Sequence, residues 1–316
     1  MKTKRKTRGQ LQVSFAWIFA IIVGAFILFI AIYSATKVVK TGDTGTSAKT
    51  GKEIGALLNQ LEMGFEEGTV TSLTMPIETR IHNQCDLYGN FGSQRIRISQ
   101  KSFDKWTEIS DGVEFPNKFI FSESVEEGKN FIIFSKPFDF PFKVSDLIYL
   151  TSSTKKYCFF KTPNDMKNEL EDLGQENILV EDTECPDGSI KVCFVESQSY
   201  CNITVSQHQK SVIKDEEIMY YETDALMYAA IFSDKAVYEC QVKRLMKRME
   251  QLSILYDEKR SLLSHQGCED TINLQSLASS ANYLANSQED SLDLSMVASS
   301  ADEVNRQNRV ATCMLW

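Results

Sequence analysis

Side-chain chemistry needs a nucleophile, a base or a metal ligand, and this 316-residue chain offers few of them. It has three histidines, His82, His208 and His265, and eight cysteines. His82 and Cys85 are close enough in sequence to be weighed as an imidazole–thiol pair, in which the base would generate a thiolate. A three-residue spacing does not by itself bring the two groups together, and a disulfide at Cys85 would remove the thiolate. His208 lies in the polar stretch SQHQK and reads as a solvated loop residue. There is no H-E-x-x-H pair and no G-x-S-x-G elbow. The acidic groups Glu66-Glu67, Glu126-Glu127 and Asp215-Glu216-Glu217 read as solvated turns. The stretch TGDTGTSAKTG (41–51) approaches a phosphate-binding loop at Gly51-Lys52. However, Gly45 is one residue too far upstream, and Glu53 stands where Ser or Thr would hold magnesium. The expectation is no catalytic, cofactor-binding or metal-binding residue, no cofactor, and a protein that is not an enzyme.

The cysteines point elsewhere. Cys85, Cys158, Cys185, Cys193, Cys201, Cys240, Cys268 and Cys313 all follow the one long apolar run, and none lies within it. An even count in an exported region reads as a set of disulfides. The competing readings are free buried thiols and metal ligation, the latter opposed by the absence of any C-x-x-C pair. The eight-residue intervals Cys185–Cys193–Cys201 resemble neighbouring strands or a hairpin. Eight cysteines allow 105 connectivities, so pairing stays open. Cys268 and Cys313 bracket the last helical segments and are one candidate staple. Asn202-Ile203-Thr204 matches the N-glycosylation acceptor pattern, which makes Asn202 a modification candidate.

The elements that must carry these residues begin with an anchor. Lys2, Lys4, Arg5, Lys6 and Arg8 precede VSFAWIFAIIVGAFILFIAIYSA (13–35), and no charge occurs between Leu11 and Thr36. A helix of that length rises about 34 Å, enough for a hydrocarbon core of about 30 Å. A cleaved secretory signal would have a shorter apolar stretch. More basic residues precede the run than follow it, so residues 1–12 are expected in the cytoplasm and the rest outside. Lipid is the expected partner of residues 13–36. Residues 1–40 carry seven basic and no acidic side chains, so the net charge of −9 leaves −16 beyond them. So acidic an ectodomain argues against nucleic acid.

Beyond the anchor, 37–52 reads as a flexible linker. Ile54, Leu57, Leu58 and Leu61 then mark a short amphipathic helix. Residues 53–222 form a β-rich region of short runs such as RIRIS, NFIIF, LIYLT and IKVCFV, punctuated by turn residues. Thr162-Pro163-Asn164-Asp165 offers a cap and first turn for one helix, followed by Met166, Leu170 and Leu173. The Phe-rich segment FSKPFDFPF (134–142) reads as core or an ordered interstrand loop rather than an exposed aromatic patch. Residues 223–316 are helical. Tyr238, Val242, Leu245, Met249, Leu252 and Tyr256 form a seam flanked by the polar residues of KRLMKRMEQ. Leu274, Leu277, Ala281 and Leu284 mark a second helix, and Leu294, Val297, Ala301 and Val304 a third. The seam is expected to pack within the chain, with a dimeric coiled coil as the competing reading. The fold class is α+β: a single N-terminal transmembrane helix, a mainly antiparallel β region and a helical C-terminal hairpin or bundle.

Lys6-Thr7-Arg8-Gly9-Gln10, directly before the apolar run, resembles the processing site of archaeal type IV pilin-like and archaellin-like precursors. The resemblance implies cleavage between Gly9 and Gln10 by a prepilin peptidase, with Gln10 as the first mature residue and the apolar helix serving assembly. Many pilins carry glutamate at the fifth mature position, which here is Ser14. Gly42, Gly45 and Gly51 interrupt the helix that pilins run unbroken into the globular head. The wider chain, with MYAAIFSDKAVYECQVKRLMKR and the ending CMLW, is similar to uncharacterised single-pass archaeal membrane proteins, a likeness that implies no activity. Three functions are therefore expected in order. The first is a membrane-anchored extracytoplasmic structural or binding protein without catalysis, which self-associates or binds other surface proteins. The second is a pilin-like subunit of a surface filament or secretion pseudopilus, and the third a tethered surface hydrolase.

Overall fold

The computed structural model describes residues 17–34, 70–102, 104–180, 185–195, 200–268, 272–288 and 291–316. The basic leader with Gly9 and Gln10, the linker expected at 37–52 and the helix expected at 54–61 lie outside them. The chain divides into two units, Met1–Ser47 and Ala48–Trp316. The first carries helix α1 (Trp17–Ser34), which is long and apolar enough to cross a membrane. Its 18 residues rise about 27 Å, and none is buried.

The second unit is α+β. Its first sheet runs β3 (Lys105–Trp106), β2 (Ser93–Ser102), β1 (Val70–Asp86), β6 (Val125–Asp139), β7 (Lys143–Ser152), β5 (Phe119–Phe121), with β4 (Val113–Phe115) also on β2. Pro76 has no N–H to give a ladder, and β1 shifts register against β6 between Thr74 and Thr79 around it. Strand alternation sorts the two faces. Ile81, Ile96, Ile98, Ile120, Phe131, Ile133, Ile148 and Leu150 pack together as one small core on one face. Phe119, Phe121, Phe134, Leu147 and Tyr149 point the other way into the main core.

The small core is enclosed because the sheet curls until its last strand, β5, comes back to the side chains of β2. β2 and β5 are separated by three strands, yet the Gln94 amide donates to the Ile120 carbonyl (2.7 Å) and accepts from the Ile120 N–H (2.8 Å). A side-chain amide thus makes the two bonds a neighbouring strand would make, and the sheet becomes a barrel sealed by one glutamine. Asn83 reinforces the seal by donating to Ile120 O (3.1 Å) and Ser122 Oγ (2.8 Å).

The second sheet runs β13 (Glu217–Tyr220), β12 (Ser211–Lys214), β11 (Ile203–Ser206), β10 (Ile190–Cys193), β8 (Tyr157–Phe160), β9 (Ile178–Val180). Its pairs β8–β9, β8–β10 and β10–β11 are parallel, as is β5–β7 in the first sheet. Antiparallel pairs remain the majority, but both sheets are mixed, which the expectation of a mainly antiparallel region did not include. Helix α2 (Asn164–Asp172) is the crossover that lets β8 and β9 run parallel. Pro163 sits at its N-cap without a side-chain cap bond, so Thr162 does not cap it as expected; Met166, Leu170 and Leu173 are buried as the spacing implied.

α3 (Asp224–Phe232) is apolar on every side, and such a helix must be covered all round. It touches β5, β6 and β7 of the first sheet and β12 and β13 of the second, and Ala225 to Phe232 are all buried. Phe232 gathers Phe134, Tyr149, Tyr157 and Phe159 around it at centroid distances of 4.9–6.5 Å. Next come α4 (Lys235–Ser264), α5 (Leu274–Asn286) and α6 (Leu294–Val310). The α4 seam is spent inside the chain: Tyr238, Val242, Leu245 and Met249 are buried, and Leu252 and Tyr256 lie against the same core. Phe142 packs on Tyr256 and Trp316, so the Phe-rich segment is core and helps hold the C-terminus.

Candidate functional site

The cysteines form four pairs at disulfide distance: Cys85–Cys240, Cys158–Cys185, Cys193–Cys201 and Cys268–Cys313. Cys193 and Cys201 link the end of β10 to the start of β11; these strands are parallel, which corrects the hairpin reading of that interval. Cys85 is therefore not a free thiol. His82 instead lies 3.0 Å from Ser99 Oγ, and burial, then Arg97 and Arg80, holds its pKa below the ordinary 6.5. The Cys85/His82 grouping does not exist as a nucleophile and base. His208 is in the exposed turn between β11 and β12, and His265 caps the end of α4. No group of three metal-ligating side chains occurs among the described residues. Asn202 is exposed, and its Oδ1 accepts from the Lys191 N–H (2.9 Å).

What the fold does assemble is a polar junction where α4 crosses the barrel seal. Arg244, expected among the polar flanks of the seam, is fully buried. Its guanidinium donates to Phe91 O (3.2 Å), Lys118 O (2.9 Å), Phe115 O (3.3 Å), Pro116 O (2.9 Å) and Gln241 Oε1 (2.7 Å). It also lies over the Phe119 ring at 4.8 Å. Burial pulls its pKa down to about 10, far enough above neutrality to keep the charge. Five acceptors shared among Nε and the two terminal nitrogens match the five donors of the arginine fork, which lysine cannot reproduce. Gln241 adds a bond to Ile120 O (3.3 Å), and the Cys85–Cys240 pair ties β1 to the same turn of α4.

One turn further along α4, the same device reaches the surface. Lys247 Nζ donates to Leu87 O (2.9 Å) and Gly89 O (3.2 Å) in the β1–β2 loop. Asp86 Oδ1 accepts from the Tyr88 N–H (2.7 Å). Gly92 closes the loop at φ +60, where an added Cβ would sit 2.3 Å from Asp86 O. The loop thereby holds Tyr88, 90% exposed, and Phe91, 42% exposed, on a fixed backbone. Beside it opens a cleft of about 360 Å³ between the loop, α4 and the end of α5.

A second charged cluster is internal. Lys155 Nζ pairs with Glu123 and with Glu126 (3.0 Å), and Lys214 Nζ donates to Glu123 Oε1 (3.2 Å) and Ser233 O (3.1 Å). Glu126 also accepts from the Ser152 N–H (3.1 Å) and is fully buried, so it is not the solvated turn residue its sequence context implied. Burial pushes the Glu126 pKa up against the pull of Lys155. Glu123 is partly desolvated too, but two lysines outweigh that and hold its carboxyl below the usual range.

Spacing alone identified none of Asn83, Gln94, Gln241 and Arg244. Most of their partners are backbone carbonyls or polar side chains distant in sequence, the Arg244–Gln241 bond within α4 being the exception. Comparison of the chain with protein families, with curated proteins and with solved structures finds no match.

Proposed function

We propose that this is a membrane-anchored extracytoplasmic protein with a structural or binding role and no catalysis, its N-terminus cytoplasmic and its C-terminus outside. The observation that carries the reading is α1, whose 18 residues expose Trp17, Phe19, Ile22, Phe26, Leu28 and Phe29 to more than half of their extent. Water is a poor solvent for such a surface at about 25 cal/mol per Å², whereas lipid tails are a good one. Four cysteine pairs agree with an oxidising compartment. The charged groups that might have done chemistry are committed to holding elements together: Arg244 to five oxygens, Lys155 to two carboxylates.

Alkaline extraction of membranes from cells expressing the full chain tests the anchor, and antibody labelling of a C-terminal epitope on intact cells tests the orientation. The chain is expected to stay with the membrane until detergent is added, and the epitope to be reached from outside. Release at alkaline pH, or an epitope shielded until lysis, would overturn the reading. A second reading, a pilin-like subunit, is favoured by Lys6-Thr7-Arg8-Gly9-Gln10 standing directly before the apolar run.

A further inference from the structure

We propose that the cleft between the β1–β2 loop, α4 and α5 binds a neutral carbohydrate. The proposal deepens the reading of the second unit as a binding module and rests on that reading. Its lining is Asn90 and Phe91 from the loop, Lys247, Glu250 and Gln251 from α4, and Asn286 from α5. The carboxamides and the carboxylate supply donors and acceptors of the kind that hydroxyl groups pair with, and Phe91 adds one aromatic residue to an otherwise polar lining. One ammonium and one carboxylate balance, so the lining carries no net charge and selects for hydroxyl groups over an ion. A cleft of about 360 Å³ is at the small end of the usual range for small-molecule sites, matching one or two sugar rings.

Preorganisation is the second argument. An exposed loop ordinarily loses freedom when it binds, and that loss subtracts from affinity. Here the ordering is already done. The Cys85–Cys240 pair lies at the loop's base, Arg244 holds Phe91 O, Lys247 holds Leu87 O and Gly89 O, and Gly92 fits where a Cβ would collide. Lys247 spends its donors on loop carbonyls while its position lines the cleft, so loop and cleft form one rigid site. Tyr88, the most exposed aromatic among the described residues of the unit, directly precedes Gly89 of the lining, where a longer glycan would continue.

The test uses the full chain in a detergent without a sugar headgroup, with cellobiose and N,N′-diacetylchitobiose as probes, read by saturation-transfer NMR. Transfer to the ring protons of at least one disaccharide is expected. Gln251 is exposed and Glu250 half-buried, so Q251A and E250Q leave packing in place; each is expected to weaken binding about tenfold or more. Tyr200→Ala, at an exposed aromatic outside the cleft, is expected to change nothing. No transfer from either probe, or transfer unchanged in both cleft variants, would overturn the proposal. Neither result bears on alkaline extraction or epitope labelling, so the failure of this inference is separable from failure of the anchored reading.

Discussion

At the scale of single residues, Arg244 has a role out of proportion to its visibility. A buried cation normally needs a carboxylate, and among the described residues this one hydrogen-bonds to neutral oxygens and lies over the Phe119 ring. Carbonyl dipoles suffice because there are five of them and the ion stays charged. Its loss would leave buried acceptors of the β4–β5 segment without donors, a penalty of about 1–3 kcal/mol for each group that water cannot reach. Arg244→Lys keeps the charge but cannot serve five acceptors from one ammonium. Urea unfolding of the oxidised protein is expected to show R244K less stable than the parent by about 2–4 kcal/mol. Arg244→Met should be at least as damaging. An unchanged midpoint in R244K would mean that charge rather than fork geometry holds the junction. The sequence concealed this residue for a physical reason. In KRLMKRMEQ, Arg244 is one of four basic side chains, and helical periodicity gives a polar residue next to the seam no cause to be inside. Its burial follows from carbonyls roughly 130–150 positions away, which no local pattern encodes.

At the scale of elements, periodicity served where one partner face defines the period. The seam of α4 and the apolar stripes of α5 and α6 were legible because each helix buries one stripe. In the second sheet runs such as IKVCFV, which holds β10, were legible as strands, but SVIK (β12) was not, being too short to show alternation, and the parallel pairing at the centre leaves no local mark. The barrel escaped notice because its closure depends on the side chain of Gln94. Besides α3 and the rings around Phe232, a lysine–glutamate cluster links the two sheets, with Glu123 before β6, Glu126 on β6, Lys155 between β7 and β8, and Lys214 on β12. Its two carboxylates respond to pH with opposite signs. Glu123 has a folded pKa below its ordinary 4.5, so its stabilisation is complete above that value and is lost as pH falls through the lowered one. Glu126 is raised, so its contribution shrinks as pH climbs from 4.5 toward the higher folded value. Glu123→Gln should flatten the fall in stability below pH 4.5, and Glu126→Gln should remove part of the loss above it. Denaturation midpoints followed from acid to neutral pH would read both. Superimposable profiles for parent and variants would show that the cluster contributes nothing to joining the sheets.

At the scale of the whole molecule, charge and covalent structure meet in one measurement. The leader carries five basic side chains within its first nine residues, and nothing after Thr36 restores a basic balance. Cleavage after Gly9 would take those five charges away and move the net charge from −9 to −14. In the pilin-like reading the leader orients the helix during insertion and is then discarded, leaving an apolar N-terminus suited to packing against other helices. Eight cysteines in four pairs, spread from Cys85 to Cys313, would lower the mass by eight hydrogens. The intact mass of non-reduced protein from native membranes is expected to have lost those eight hydrogens, and to fit a chain that begins at Gln10 in the pilin-like reading or at Met1 in the anchored one. Gly9→Leu should block the cut and leave the full-length mass with the same four bridges. In the pilin-like reading that variant also fails to assemble, because a retained charged leader cannot enter a bundle of apolar helices. In the anchored reading it stays in the membrane and behaves as the parent does. A parent chain that starts at Met1 would remove the pilin-like reading and leave α1 as a simple anchor. A mass that matches eight free thiols would remove the oxidising exterior and, with it, the outward placement of the second unit.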